Sequence, residues 1–405
     1  MHTTELKDSR GRPVLVLNLI APRSSSRGLP KYLAGESIAG QVALSLEQSE
    51  PVHSISLTLK GRVVSTYNEI GSCVFLQVTH ELYRKQPTQS KLAGDHVWPF
   101  SFPFPTEVPI DGYGKCFLPQ TFMERTTAVA VQYELVAHVN QGKLRAAKRV
   151  QTHVAYIPKT IADAPSPIRS CVYARGLPLP SPREDPRGWL TLEPAVVRGR
   201  LFEKRDVEVR FILSLASPLS YARGTVIPCH MTVQCFDEQA LELLSKPKDL
   251  VVHLRRQITY VLSELSGSPT RPPPRPLIHD IAKAIWWPSS SGKHRHEYER
   301  RLDGEIHLGH ELQPSSDFPH FRVKYGVVVI PAPPTGFKPE HKPPQVAQTV
   351  QIATWHAPGP LPRPTRPRQE SAAPVDQTHI ENNNDTLFDS LMTVFGSTRR
   401  RSTIL

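Results

Sequence analysis

Few residues in this chain have the types and spacing that metal or covalent chemistry requires. His294 and His296 stand two positions apart, so on an extended backbone both project to one face, as two metal ligands would. Glu297 would face the other way, and the basic neighbours Lys293 and Arg295 would repel a cation, so no metal is expected. Nucleophilic catalysis needs a serine or cysteine held beside a base. Serines, histidines and aspartates are plentiful, yet there is no Gly-x-Ser-x-Gly elbow and no Gly-rich loop that could cradle a phosphate. His279-Asp280 precedes an apolar run and reads as a strand start. No catalytic residue and no cofactor are expected. Acid–base pairs assembled from distant strands stay open on sequence alone.

Short interaction elements are better represented. Arg271-Pro-Pro-Pro-Arg-Pro276 is preformed for polyproline II, with a Pro273-x-x-Pro276 core and flanking arginines of the kind an SH3-type partner accepts. It lacks the full Arg-x-x-Pro-x-x-Pro spacing, and a stiff loop between strands would read the same way. Further on, Leu387, Phe388, Leu391, Met392 and Phe395 recur at helical spacing. They predict a short amphipathic helix over 386–395, which needs a surface to dock on. Arg399-Arg-Arg-Ser402 has the pattern of a basophilic kinase site; phosphorylation of Ser402 would set a dianion against three arginines. Thr403-Ile-Leu405 has the form of a PDZ ligand.

The elements that must carry these residues follow from composition. A chain of 405 residues implies two or three domains. Its 41 prolines cluster at 158–186, 269–276, 331–344 and 358–374, which marks loops or linkers. Cys73, Cys116, Cys171, Cys229 and Cys235 form an odd set without Cys-x-x-Cys. That pattern suits small buried hydrophobes in a reducing compartment, not a disulfide framework or a zinc site. No run of about 18 apolar residues occurs, and Met1 to Arg12 is polar, so a cytoplasmic protein without span or signal peptide is expected. The net charge of +12 is spread along the chain, which argues against nucleic acid. A diffuse positive field does suit peripheral association with anionic membrane surfaces.

Periodicity then assigns the fold class. Ile38, Val42, Leu44 and Leu46 alternate with polar or small residues, as do Ile55, Leu57 and Leu59, and Val129, Val131, Tyr133 and Leu135. Strands resume at Leu190–Val197, Val207–Leu215, Val226–Phe236 and Val251–Leu262, then Asp280–Trp287, Gly304–Leu308, Val323–Ile330 and Val346–Trp355. Glu238–Leu244 is the best helix candidate within either half. Period two in short runs broken by Gly, Pro, Asn and Ser predicts β-sandwiches. The halves also repeat. Tyr32 and Tyr221 each stand three before a glycine, Gly35 and Gly224, and the later strands place Tyr133 and Tyr325 in register. The expected domains are 13–158 and 188–356, a Pro-rich linker over 159–187, and a mostly disordered tail over 357–405.

At this point a family resemblance enters. Tyr32-Leu-Ala-Gly35-Glu36-Ser-Ile38-Ala-Gly40-Gln-Val42-Ala-Leu44, followed by Ile55-Ser-Leu-Thr-Leu59-Lys-Gly61, resembles the opening strands of the arrestin N-domain. Phe100-Ser-Phe102-Pro-Phe104, Leu118-Pro119-Gln-Thr-Phe122 and Val131-Gln-Tyr133-Glu-Leu135 are similar to its later strands. Arg301-Leu-Asp-Gly304-Glu305-Ile306 and Val323-Lys-Tyr325-Gly-Val327 suit the C-domain. The pattern is that of fungal-type α-arrestin-like proteins. It implies two immunoglobulin-like antiparallel β-sandwiches in tandem and a non-enzymatic adaptor. Such an adaptor binds membrane-protein cytoplasmic tails and links them to endocytosis, sorting or ubiquitination, with recruitment to plasma membrane or endosomes. The alternative is a constitutive scaffold subunit of a retromer-type sorting complex. The family's ligase-recruiting Pro-Pro-x-Tyr motif is absent here, so any ubiquitin ligase would be reached by an indirect route. The nearest variants end on Tyr32 and Tyr221, and both are expected to be packed strand residues.

Overall fold

The computed structural model describes residues 1–20, 28–65, 72–88, 90–124, 127, 129–142, 147–261, 276–289, 297–331, 334–362, 364 and 365. Strands make up 60% and helices 6%, in antiparallel sheets that do not close into barrels, so the fold is all-β, as the period-two runs require. The chain divides into two units, Met1–Ile157 and Pro158–Gln369.

The first unit begins with β1 (His2–Lys7), β2 (Pro13–Ile20), β3 (Lys31–Leu33), β4 (Ser37–Glu50), β5 (Ser54–Ser65) and β6 (Ser72–Arg84). It continues with β7 (Leu92–Pro103), β8 (Glu107–Ile110), β9 (Gly114–Phe117), β10 (Phe122–Met123), β11 (Val129–Asn140) and β12 (Lys148–Ile157). One sheet has the order β1-β2-β4-β7, the other β3-β12-β11-β5-β6 with β10 beside β11, and β8-β9 is a separate hairpin. Alternation decides the layering. Leu15, Leu17 and Leu19 of β2 and Val42 and Leu44 of β4 are wholly buried, as are Leu57 and Leu59 of β5 and Tyr133 and Leu135 of β11. Between the sheets Phe104 stacks on Tyr156 at 4.7 Å, and Tyr133 lies 5.5 and 5.4 Å from these two rings.

The second unit opens with helix α1 (Pro167–Arg175), then β13 (Trp189–Thr191), β14 (Ala195–Leu201), β15 (Arg205–Ala216), β16 (Ser220–Ala222) and β17 (Val226–Cys235). Helix α2 (Glu238–Leu244) precedes β18 (Leu250–Tyr260), β19 (Leu277–Lys283), β20 (Ile285–Pro288) and β21 (Glu299–His307). The last strands are β22 (Ser316–Phe318), β23 (Phe321–Pro331), β24 (Phe337–Pro339) and β25 (Val346–Ala353). The sheets run β20-β21-β17-β15-β14-β24, with β13 beside β15, and β16-β25-β23-β18-β19, with β22 beside β23.

The two units repeat one topology. The order β1-β2-β4-β7 is answered by β14-β15-β17-β21, and β3-β12-β11-β5-β6 by β16-β25-β23-β18-β19. The short strands carrying Tyr32 and Tyr221 pair in parallel with the last long strand of their own sheet. Gly35 and Gly224 follow at φ +81° and +77°, a region closed to most side chains, which is why both positions are glycine. Tyr133 and Tyr325 each donate their hydroxyl to a main-chain carbonyl, of Pro119 and Gln313, at 2.7 Å in both units.

Three expectations need correction. The stretch 159–187, read as a linker, is built into the second unit. Ser166 caps α1 by accepting from the Arg169 amide. Arg169 itself is 2% exposed, donates to the carbonyls of Ser217 and Gly188, and lies 5.3 Å from the Trp189 ring. Buried Asp185 accepts from the Ser166 hydroxyl and caps the turn Pro186–Gly188. This helix buries an arginine and no apolar stripe, so it has no amphipathic signature. The start of the chain, left outside the first domain as polar, supplies edge strand β1, whose turn is closed by the Asp8 carboxylate accepting from the Arg10 and Arg12 amides. The run Asp280–Trp287 is two strands in different sheets, switching at buried Ala284. Helix α2, by contrast, lies where expected, capped by Asp237, with Ala240, Leu241 and Leu244 buried. The second unit also ties its two ends together. Thr160 and Thr354 exchange amide-to-hydroxyl bonds at 2.8 and 2.9 Å, and Ile161 bridges Trp355 in parallel.

Tyr133→Phe and Tyr325→Phe should each cost about 1 kcal/mol of stability through the lost hydrogen bond. Hydrogen exchange read by mass spectrometry should place each loss in the unit that carries the substitution, and a loss shared by both units would contradict the equivalence of the two sites.

Candidate interaction surface

Of the sequence-selected interaction residues, only Pro276 lies among the described residues. Pro276 is an exposed residue immediately before β19. Pro273, Leu387, Phe388, Leu391, Phe395 and Ser402 lie outside the described residues, as do His294 and His296. Tyr32 and Tyr221 are both buried, and Tyr221 donates its hydroxyl to the Ala216 carbonyl at 2.5 Å. Burial pushes the Tyr32 phenol up to about 12. Neither tyrosine is presented to a partner in the folded chain.

What the strands do assemble is a polar ladder on one face of the β14-β15-β17-β21 sheet. Directly opposed residues share a face. Arg200 stands opposite Asp206, Arg198 opposite Glu208, and Val196 opposite Arg210. Arg210 opposes Gln234, and Gln234 opposes Glu299. The next rows align Ile212, Thr232 and Arg301, then Ser214, His230 and Asp303. The side chains bond along and between rows. Arg200 reaches Asp206 at 3.1 Å, and Gln234 donates to Glu299 at 3.1 Å, where Arg301 also binds.

The ladder grades from exposed, at Arg200, to buried, at His230. Ser214, His230 and Asp303 are the residue types of a hydrolytic triad, and His230 Nδ1 lies 2.8 Å from Asp303 Oδ1. The Ser214 hydroxyl is engaged elsewhere, with Thr191 Oγ1 at 2.9 Å. This buried row is part of how β13, β15, β17 and β21 hold together.

At the exposed end the edge of β14 and the segment 341–344 enclose a cavity of about 320 Å³. Val196, Val197, Pro343 and Pro344 give it apolar walls, and Arg198, Arg210, His341 and Lys342 line it with basic groups. Glu208 is the carboxylate at this cavity. It accepts Arg198 Nε at 2.8 Å and Arg210 Nε at 3.0 Å. Those two hydrogen bonds, Arg198's first, hold its carboxyl below the ordinary carboxylate range, so it is ionised at neutral pH.

The first unit has a smaller polar row. Lys60, Glu134 and His153 oppose one another on β5, β11 and β12, and Arg62 reaches Glu134 at 3.4 Å. Burial lowers the His153 pKa from its ordinary 6.5; Glu134 works against that shift and Arg62 adds to it.

Compared with models of known protein families and with curated proteins, the chain matches none. The ladder itself is present in the sequence as charges at every second position, Arg198/Arg200, Asp206/Glu208/Arg210 and Glu299/Arg301/Asp303. Such a period names an outward face but not the neighbouring strand, so the pairing that brings Arg198 and Arg210 onto one carboxylate needs the register.

A histidine held neutral by the fold contributes stability that is intact above the unfolded value of 6.5 and lost as pH falls from there through the lower folded value. Denaturant melts between about pH 8 and pH 5 should show the first unit weakening toward acid, and His153→Gln should flatten that dependence. An unchanged slope in the variant would remove His153 from the cause.

Proposed function

We propose that this chain is a non-enzymatic, arrestin-like adaptor that binds cytoplasmic parts of membrane proteins and links them to endocytosis, sorting or ubiquitination. The observation that carries the reading is the tandem repeat of one strand order, with the Tyr32-to-Gly61 and Leu118-to-Leu135 motifs lying on matched strands of the first unit. Two further features support it. The polar ladder and its cavity form an outward surface suited to ionic recognition. Among the described residues, no helix is long and apolar enough to cross a membrane. The adaptor works from the cytoplasm and moves to plasma membrane or endosomes with its cargo. Because both tyrosines nearest to a ligase motif are buried, ubiquitination proceeds through an intermediary rather than by direct motif recruitment.

Proximity labelling of the tagged full chain in its native cell should enrich membrane proteins with cytoplasmic tails, and imaging should show recruitment when nutrients or stress change. A wholly diffuse signal in every condition, with no membrane protein labelled, would sink the adaptor reading. Stable stoichiometric co-purification with fixed partners would instead assign the chain to a constitutive sorting scaffold.

A further inference from the structure

We infer that the cavity between β14 and the segment 341–344 is a binding site for a phosphate-type dianion, and this stands whether or not the adaptor reading does. Charge around the cavity is unbalanced. Arg198 and Arg210 share one carboxylate, Glu208, while Lys342 and His341 make no hydrogen bond or ion pair with the described residues. His341 aside, three cations face one anion. Glu208 engages Arg198 through Nε alone, so the other N–H groups of that guanidinium have no partner among the described residues.

The geometry favours phosphate over a lone carboxylate. Two guanidiniums project from neighbouring strands, and Lys342 lines the same cavity from a separate segment. Each guanidinium offers a planar fork to phosphate oxygens, and a lysine adds a point charge. A volume near 320 Å³ admits a single phosphorylated group. Glu208 is the counter-ion that holds both arginines in place, and it competes with an incoming anion. A free phosphate ester and a phosphorylated lipid headgroup would present the same chemistry.

The test titrates the purified full chain with glycerol 3-phosphate by calorimetry, and in parallel sediments it with phosphatidylcholine vesicles with and without phosphatidic acid. Saturable glycerol 3-phosphate binding that weakens with added salt is expected. Arg198→Gln and Lys342→Gln should each weaken it about tenfold. Glu208→Gln should tighten it, an outcome that a purely structural ion-pair network would not produce. All three positions are on the surface, so unchanged melting profiles should accompany these shifts. Absence of saturable binding, affinity unmoved by the two cation substitutions, or weaker binding in Glu208→Gln would each overturn the site. Vesicle binding that needs phosphatidic acid and is lost in the same variants assigns the headgroup source. Glycerol 3-phosphate binding without vesicle binding assigns the free ester.

Discussion

Both units depend on one backbone constraint: a three-residue strand must pair in parallel with the last long strand of its own sheet. Parallel partners cannot be joined by a tight hairpin, so nearly the whole unit lies between them in sequence. β3 meets β12 only after every other strand of the first unit has been laid down, and β16 meets β25 in the same way. Just past each short strand, Gly35 or Gly224 turns the chain into β4 or β17, which belong to the opposite sheet. This is where the chain crosses the sandwich, so its side chains point into the core. The burial of Tyr32 and Tyr221 follows from that crossing. A motif that resembles a partner ligand in one dimension is, in three, a packing element.

The sandwich class, most strands and α2 were legible because each rests on a local signal: period two in β2, β4, β11 and β23, and an acidic cap before an apolar turn in α2. The repeat was legible for a different reason, since a positive-φ glycine three residues after a tyrosine is a rare requirement met twice. What escaped had no local signature. Arg169 is buried by carbonyls and a tryptophan ring drawn from Ser217, Gly188 and Trp189, so its helix reads as solvent-exposed. Ala284, where the chain changes sheets, looks like any other small residue within one apolar run. The cavity beside β14 needed the register of β14 against β15 and the placing of segment 341–344, neither of which periodicity supplies.

One topology thus carries two surface chemistries. On the outer face of the β1-β2-β4-β7 sheet, Val16, Ala43 and Val97 align across three strands. At the equivalent row of the second unit, β15, β17 and β21 align Ile212, Thr232 and Arg301. Residues that set register point inward and are constrained by packing; those pointing outward answer only to solvent and partners.

The bonds between Thr160 and Thr354, with the Ile161–Trp355 bridge beside them, have a mechanical consequence. The chain enters the second unit on one of these segments and runs out of its last strand on the other, and the two run side by side in the same direction. Tension drawn through the polypeptide would pull them past each other in shear, loading every bond at once rather than peeling them one after another. The second unit is thus clasped where its first segment meets the end of its last strand.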